Sequence, residues 1–267
     1  MVDKSNKWIL QLGNFKAVIF MILVNSLANI LPINNRLTGE ISDSIPNLFA
    51  PAGITFSIWG VIYFLLVLFA IFQIRDIFKK EKLDMPYLNK IGIWFIISSL
   101  ANILWIFLWH YEQIIFSLLA MLLLFLSLLI IYMKLDIGKA KVSIKEKLFI
   151  QLPFSVYLGW ITVATIANAT AVLVEIGWDG FGSSEQTWTI LLILITVIVT
   201  GLILLKRRDY AYSAVIIWAL IGIYLKRISD DVIYGKQAEI ANTALITIIV
   251  ILIIAVISGI LQYMKKQ

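Results

Sequence analysis

The chain has 267 residues, 61% of them hydrophobic and 14% charged, with a mean hydropathy of +0.95. A soluble domain needs far more surface charge, so this composition specifies an integral membrane protein. Cysteine is absent and histidine occurs once, which excludes disulfides, thiolate metal sites and a cysteine nucleophile and argues against a histidine-built metal centre; a net charge of +6 in such a chain reports orientation in the membrane rather than nucleic-acid binding.

Eight apolar segments of about 16 to 25 residues recur, each long enough to cross a hydrocarbon core of roughly 30 Å as a helix. They occupy residues 15–33, 51–74, 91–109, 113–133, 148–174, 187–205, 210–225 and 241–263. The fold class is therefore all-α, a polytopic membrane bundle of eight transmembrane helices. Lys4 and Lys7 precede the first segment and Lys16 lies at its start, as in a signal peptide. Its apolar run exceeds the usual span of roughly 7 to 15 residues, and no small-residue cleavage site precedes Pro32, so it is expected to stay as a helix. It carries Asn25 and Asn29 at i, i+4. The connector NNRLTGEISDSIPNLFA (34–50) is rich in turn formers and is expected to be a structureless loop, either a mobile link or a lid over the bundle mouth.

The second segment, PAGITFSIWGVIYF, places Thr55, Trp59 and Tyr63 on one face. In the third, Ser98, Asn102, Trp105 and Trp109 share a face; in the fifth, Tyr157, Trp160, Ala164 and Asn168 do so. At about 1.5 Å per residue, these amides and rings lie at similar depths beneath the connector. The fourth segment and the last three carry no comparable pattern, and no internal repeat is evident. Eighteen of the 22 Lys and Arg residues fall at the end of the bundle that holds both termini; Arg36, Lys226, Arg227 and Lys236 fall at the other, offset in part by Asp230, Asp231 and Glu239. That bias sets both termini in the cytoplasm of a cell-membrane protein.

No Asp, Glu, Lys or Arg lies at the centre of a span, which weighs against proton-coupled pumps and voltage sensors. Trp8, Trp109, Trp178 and Trp188 are expected in the interfacial belt, and His110 at the interface rather than as a ligand. Asparagines serve equally as interhelical ties. Trp59, Trp105 and Trp160 lie too deep for a belt and are expected to face the bundle. Gly53, Ser57 and Gly60 would allow a close helix approach or a homodimer face. An uncharged hollow of rings and amides suits a large, flat, mostly apolar guest.

These residues resemble a family. PAGITFSIWGVIYF is similar to the Pro-rich start and Trp-x-x-x-Tyr of the tryptophan-rich sensory protein (TspO, translocator protein, peripheral benzodiazepine receptor) family. ANILWIFLW resembles its Leu-Asn-x-x-Trp-Ser segment at Asn102 and Trp105, and VYLGWITVATIANA its Pro-Tyr-Leu-x-Trp-x-x-x-Ala-Thr-x-x-Asn segment at Tyr157, Leu158, Trp160, Ala164, Thr165 and Asn168. The similarity spans roughly 15–175 and implies a five-helix core (1–175) followed by a three-helix extension (176–267). It also implies a pocket for tetrapyrroles, sterols or synthetic aromatic ligands under the first connector. Gly53 stands where the family often has a second Trp, Ala50 and Val156 replace prolines, and the acidic residue often found in the fourth helix is absent.

The expected site residues are Asn29, Trp59, Tyr63, Asn102, Trp105, Tyr157, Trp160 and Asn168, with no catalytic or metal-binding residue assigned. The expected role is a membrane binding or sensory protein for a flat hydrophobic ligand, with a bound porphyrin or haem-type tetrapyrrole as an optional cofactor. Its partners are that ligand, membrane lipid and a second copy of the chain, with no nucleic acid. A transporter for a small organic molecule, or a membrane enzyme acting on a porphyrin or isoprenoid, are the alternatives.

Overall fold

A computed structural model describes residues 7–229 and 235–264. Lys4, Lys265 and Lys266, with Asp230 and Asp231, counted above for orientation, lie outside them. The described residues are helical, without a strand. Helix α1 (Lys7–Ile30) is followed by a short connector helix α2 (Thr38–Ser44), then α3 (Ile58–Ile74), a short α4 (Pro86–Ile91), α5 (Trp94–His110) and α6 (Ile114–Leu135). A single turn, α7 (Ile144–Glu146), runs through a π-helical stretch (Lys147–Gln151) into α8 (Leu152–Glu175); α9 (Glu185–Arg207), α10 (Tyr210–Ile228) and α11 (Ala238–Met264) complete the chain. Seven helical stretches are long and apolar enough to cross a membrane, and α5 is a shorter apolar helix. They correspond one to one with the eight expected spans of a multi-pass membrane protein.

Local chemistry sets the boundaries. Pro32 and the left-handed Asn34 and Asn35 stop α1. Ser184 caps α9 by accepting from Thr187 N–H at 3.2 Å, and Asp209 caps α10 by accepting from Tyr212 N–H at 3.1 Å. Two expectations need correction. The first helix extends back at least to Lys7, because its polar residues are buried against α3 rather than hydrated: Gln11 Nε2 donates to Gln73 O (2.5 Å) and Asp76 Oδ1 (2.7 Å), and Asn14 Nδ2 donates to Gln73 Oε1 (3.1 Å). The 34–50 connector is not structureless, since Glu40 accepts from Leu37 N–H at 2.8 Å and starts α2.

Helices α1, α3, α5, α6 and α8 pack together, α9, α10 and α11 form a second group, and α10 lies against α8. That seam is tight because Gly159 lets backbones meet; a Cβ there would sit 3.1 Å from Tyr212 O. It is also polar: the buried Asp209 carboxylate accepts from Ser155 Oγ (2.6 Å) and from Tyr132 Oη (2.9 Å). The ends of the bundle are pinned by ion pairs, Lys7–Asp76 (2.5 Å) and Arg207–Asp136 (3.1 Å) at one end, Arg36–Glu112 (2.8 Å) and Lys226–Asp43 (2.6 Å) at the other. Gly53, Ser57 and Gly60 do not serve a close approach within the chain; all three are exposed, and nothing lies within 4 Å of a Cβ placed on Gly60.

Candidate ligand-binding site

The regular spacing of rings along α3, α5 and α8 brings them to one point, Trp59. Its ring stacks on Tyr63 (centroids 5.5 Å apart, 20°) and lies tilted on Trp105 (6.2 Å, 30°). It meets the edges of Tyr157 (6.0 Å, 71°) and Trp160 (6.2 Å, 81°). Offset stacks and edge-to-face contacts of this kind each contribute roughly 0.5–1.5 kcal/mol beyond the area they bury. Phe56 adds a further edge contact to Trp160 at 5.8 Å.

An amide network holds the walls. Asn168 of α8 accepts from Trp105 Nε1 (3.3 Å) and donates to Ser117 Oγ of α6 (3.0 Å), tying three helices. Asn102 turns away from this network and accepts from Asn25 Nδ2 at 2.7 Å, joining α5 to α1. Trp160 Nε1 and the Tyr63 hydroxyl are buried without a hydrogen-bond partner among the described residues.

Two cavities flank Trp59. One, of about 40 Å³, lies between α2, α5 and α8 and is walled by Trp59, Trp105, Trp109, Trp160 and Asn168. The other, of about 370 Å³, opens beneath α2 and includes Asn29, Trp59, Tyr63, Glu40 and Asp43. The Trp59 ring therefore belongs to both walls. Of the eight expected residues, Trp59, Trp105, Trp160 and Asn168 border the first cavity and Asn29, Trp59 and Tyr63 the second. Tyr157 and Asn102 border neither; both are fully buried behind Trp59 and Asn25 respectively.

The connector closes the first cavity. His110 is fully buried: its Nε2 pairs with Thr38 Oγ1 (2.9 Å) and its Nδ1 with Ile33 O (3.0 Å), while Asn34 Nδ2 donates to His110 O (3.1 Å). It is a fastening for the connector and not the interfacial residue expected. Trp109, expected in the belt, is 6% exposed; it stacks on Trp105 at 5.8 Å and donates to Thr38 O at 3.2 Å. Trp8, 54% exposed, does lie on the surface. Phe56, Asn47 and Ser117 also belong to the site and went unnoticed in the sequence. On α8 the small residues Ala164, Ala167 and Ala171, in step with Asn168, complete the wall.

Helix α10 braces the same region from outside the five-helix group. Ala52 N–H donates to Gly222 O at 3.0 Å and Trp218 Nε1 to Thr55 O at 3.0 Å, fixing the start of the segment that carries Trp59.

Fold and site together define a polytopic helical membrane protein with an aromatic pocket at one end of its bundle, uncharged between α5 and α8 and acidic beneath α2. The chain belongs to the TSPO-like protein family, whose model matches residues 9–257 and so takes in the last three helices as well as the first five. No curated protein and no solved structure gives a significant match.

Proposed function

We propose that this chain is a binding protein of the cell membrane, with both termini cytoplasmic, that holds a flat, largely apolar ligand of tetrapyrrole-like or sterol-like kind against Trp59, Trp105 and Trp160. The observation that carries this is the convergence on Trp59 of four rings from three helices beside a cavity without a charged wall. Indole faces provide apolar contact, and Asn168 supplies a polar group that orients a guest. The unpartnered Trp160 N–H and Tyr63 O–H favour a ligand edged with hydrogen-bond acceptors.

Size limits the guest. A cavity of about 40 Å³ holds about three or four waters, at roughly 10–15 Å³ each. A tetrapyrrole therefore needs Trp59 to swing and join the two cavities. The wall of the first cavity offers no imidazole, thiolate or phenolate, and joining the second adds one phenol, Tyr63, so an iron porphyrin would have only Tyr63 as an axial protein ligand here. A metal-free porphyrin or another planar molecule suits these residues better. The buried charges among the described residues, Asp76, Asp209 and Arg227, stand at helix ends, which favours a binder over a carrier coupled through mid-membrane charges.

The test is titration of the full chain in detergent with protoporphyrin IX and with the smaller three-ring fluorophore aminoanthracene. Saturable binding weakened at least about tenfold by Trp59→Ala is expected, as for truncation of a central aromatic anchor. Equal affinity in wild type and Trp59→Ala would remove the site.

A further inference from the structure

Ser42, Ile45 and Asn47 of the connector cover one side of the aromatic cavity, and a larger void lies beside it, across Asn47. Helix α9 packs chiefly on α11 and α10, leaving a cleft of about 620 Å³ beside α8. Leu173 and Val174 of α8 and Leu192 of α9 give the cleft an apolar wall, lined further by Trp178 and Trp188, ring centroids 5.1 Å apart, with Asp179 and Glu185 beside them. Indoles at a helix end, above an apolar wall, suit a flat apolar molecule arriving from the lipid.

Asn47 is common to the walls of the cleft and of the aromatic cavity. Its Nδ2 donates to Ala167 O (3.1 Å), on the cavity side, and to Thr170 Oγ1 (2.8 Å), on the cleft side; its Oδ1 accepts from Phe49 N–H at 2.9 Å. One carboxamide, 7% exposed, thus forms the seam between a roomy cleft and a much smaller cavity. Ala167 lies within a helix and Thr170 Oγ1 also donates to the Ile166 and Ala167 carbonyls, so parting the seam strands few polar groups.

We propose that the α8/α9 cleft is a second ligand site, an antechamber from which a flat apolar molecule passes into the aromatic cavity, with the Asn47 side chain as the partition. This rests on the binding function proposed above.

Stopped-flow binding of aminoanthracene to the full chain tests it. Leu192→Trp narrows the cleft away from the aromatic cavity and should slow association and dissociation alike, with the dissociation constant unchanged. Asn47→Asp keeps the acceptor for Phe49 but loses both donated bonds, and should speed both rates by about tenfold. Thr170→Val removes one of those bonds without a change of shape and should act in the same direction, which covers a misfolded Asn47→Asp. Wild-type rates in Leu192→Trp would overturn the antechamber. If instead Trp59→Ala leaves the affinity unchanged while Leu192→Trp slows binding, the aromatic cavity fails as the destination and the cleft stands as a site. Absence of any probe binding overturns both.

Discussion

Gly222 of α10 lies directly against Thr55 at the foot of the Trp59 segment: a Cβ on Gly222 would sit 2.0 Å from Thr55 Oγ1 and 2.9 Å from Pro51 Cβ. Gly222→Ala is therefore expected to destabilise the protein by about 1–3 kcal/mol, the usual cost of overpacking, and to disturb ligand binding through the position of Trp59. Unfolding monitored by tryptophan fluorescence checks this. Adding Thr55→Ala should restore part of the loss, since it removes the nearest atom but not Pro51.

Trp59→Ala removes ring contacts with Tyr63, Trp105, Tyr157 and Trp160 together. A loss of roughly 3 kcal/mol of stability is expected for a ring of this size, alongside the weakened binding. Trp8→Ala, at an exposed position, should change neither, and denaturant unfolding of the two variants side by side separates them.

Asn168→Leu leaves the Trp105 N–H without its acceptor and Ser117 without a donor to it. Stranding buried polar groups costs about 1–3 kcal/mol. Asn29→Ala is the comparison: Asn29 is exposed and bonds only to Asn25 O of its own helix at 2.8 Å, so its loss should stay within about 0.5 kcal/mol.

At the opposite end, Asp76 is fully buried beyond α3. Burial pushes its carboxyl up, but hydrogen bonds from Lys7, Gln11 and the Leu83 N–H, with the Lys7 charge, outweigh this and hold it below the ordinary carboxylate range. A depressed folded value means that this stabilisation is complete above the unfolded pKa, about 3.9, and is lost as pH falls through the folded value. Melting temperature should therefore decline below about pH 4, and Asp76→Asn should flatten that decline while lowering stability at neutral pH.

The helices and their order were legible because lipid forces each span to satisfy its own backbone, which leaves a long apolar run in the sequence. Trp59, Trp105, Trp160 and Asn168 were legible because helical periodicity puts them on faces that must be buried. Trp109 and His110 were misplaced for a physical reason: a position at a helix end means the interface unless a connector folds over it, and α2 does so through Thr38. The start of α1 was hidden because Gln11 and Asn14 look like solvated flank and find their partners 59 to 65 residues away. Nothing local in the sequence shows that Asn102 prefers Asn25 to a cavity.

The bond from Ala52 N–H to Gly222 O and that from Trp218 to Thr55 O cross from one helix group to the other. A protein shortened to its first five helices would surrender both, baring peptide groups of the Trp59 segment at the bilayer boundary, where unsatisfied donors cost several kcal/mol. The motif-bearing half is thus expected to be less stable without the helices that follow it. The three helices without recognisable motifs complete its scaffold.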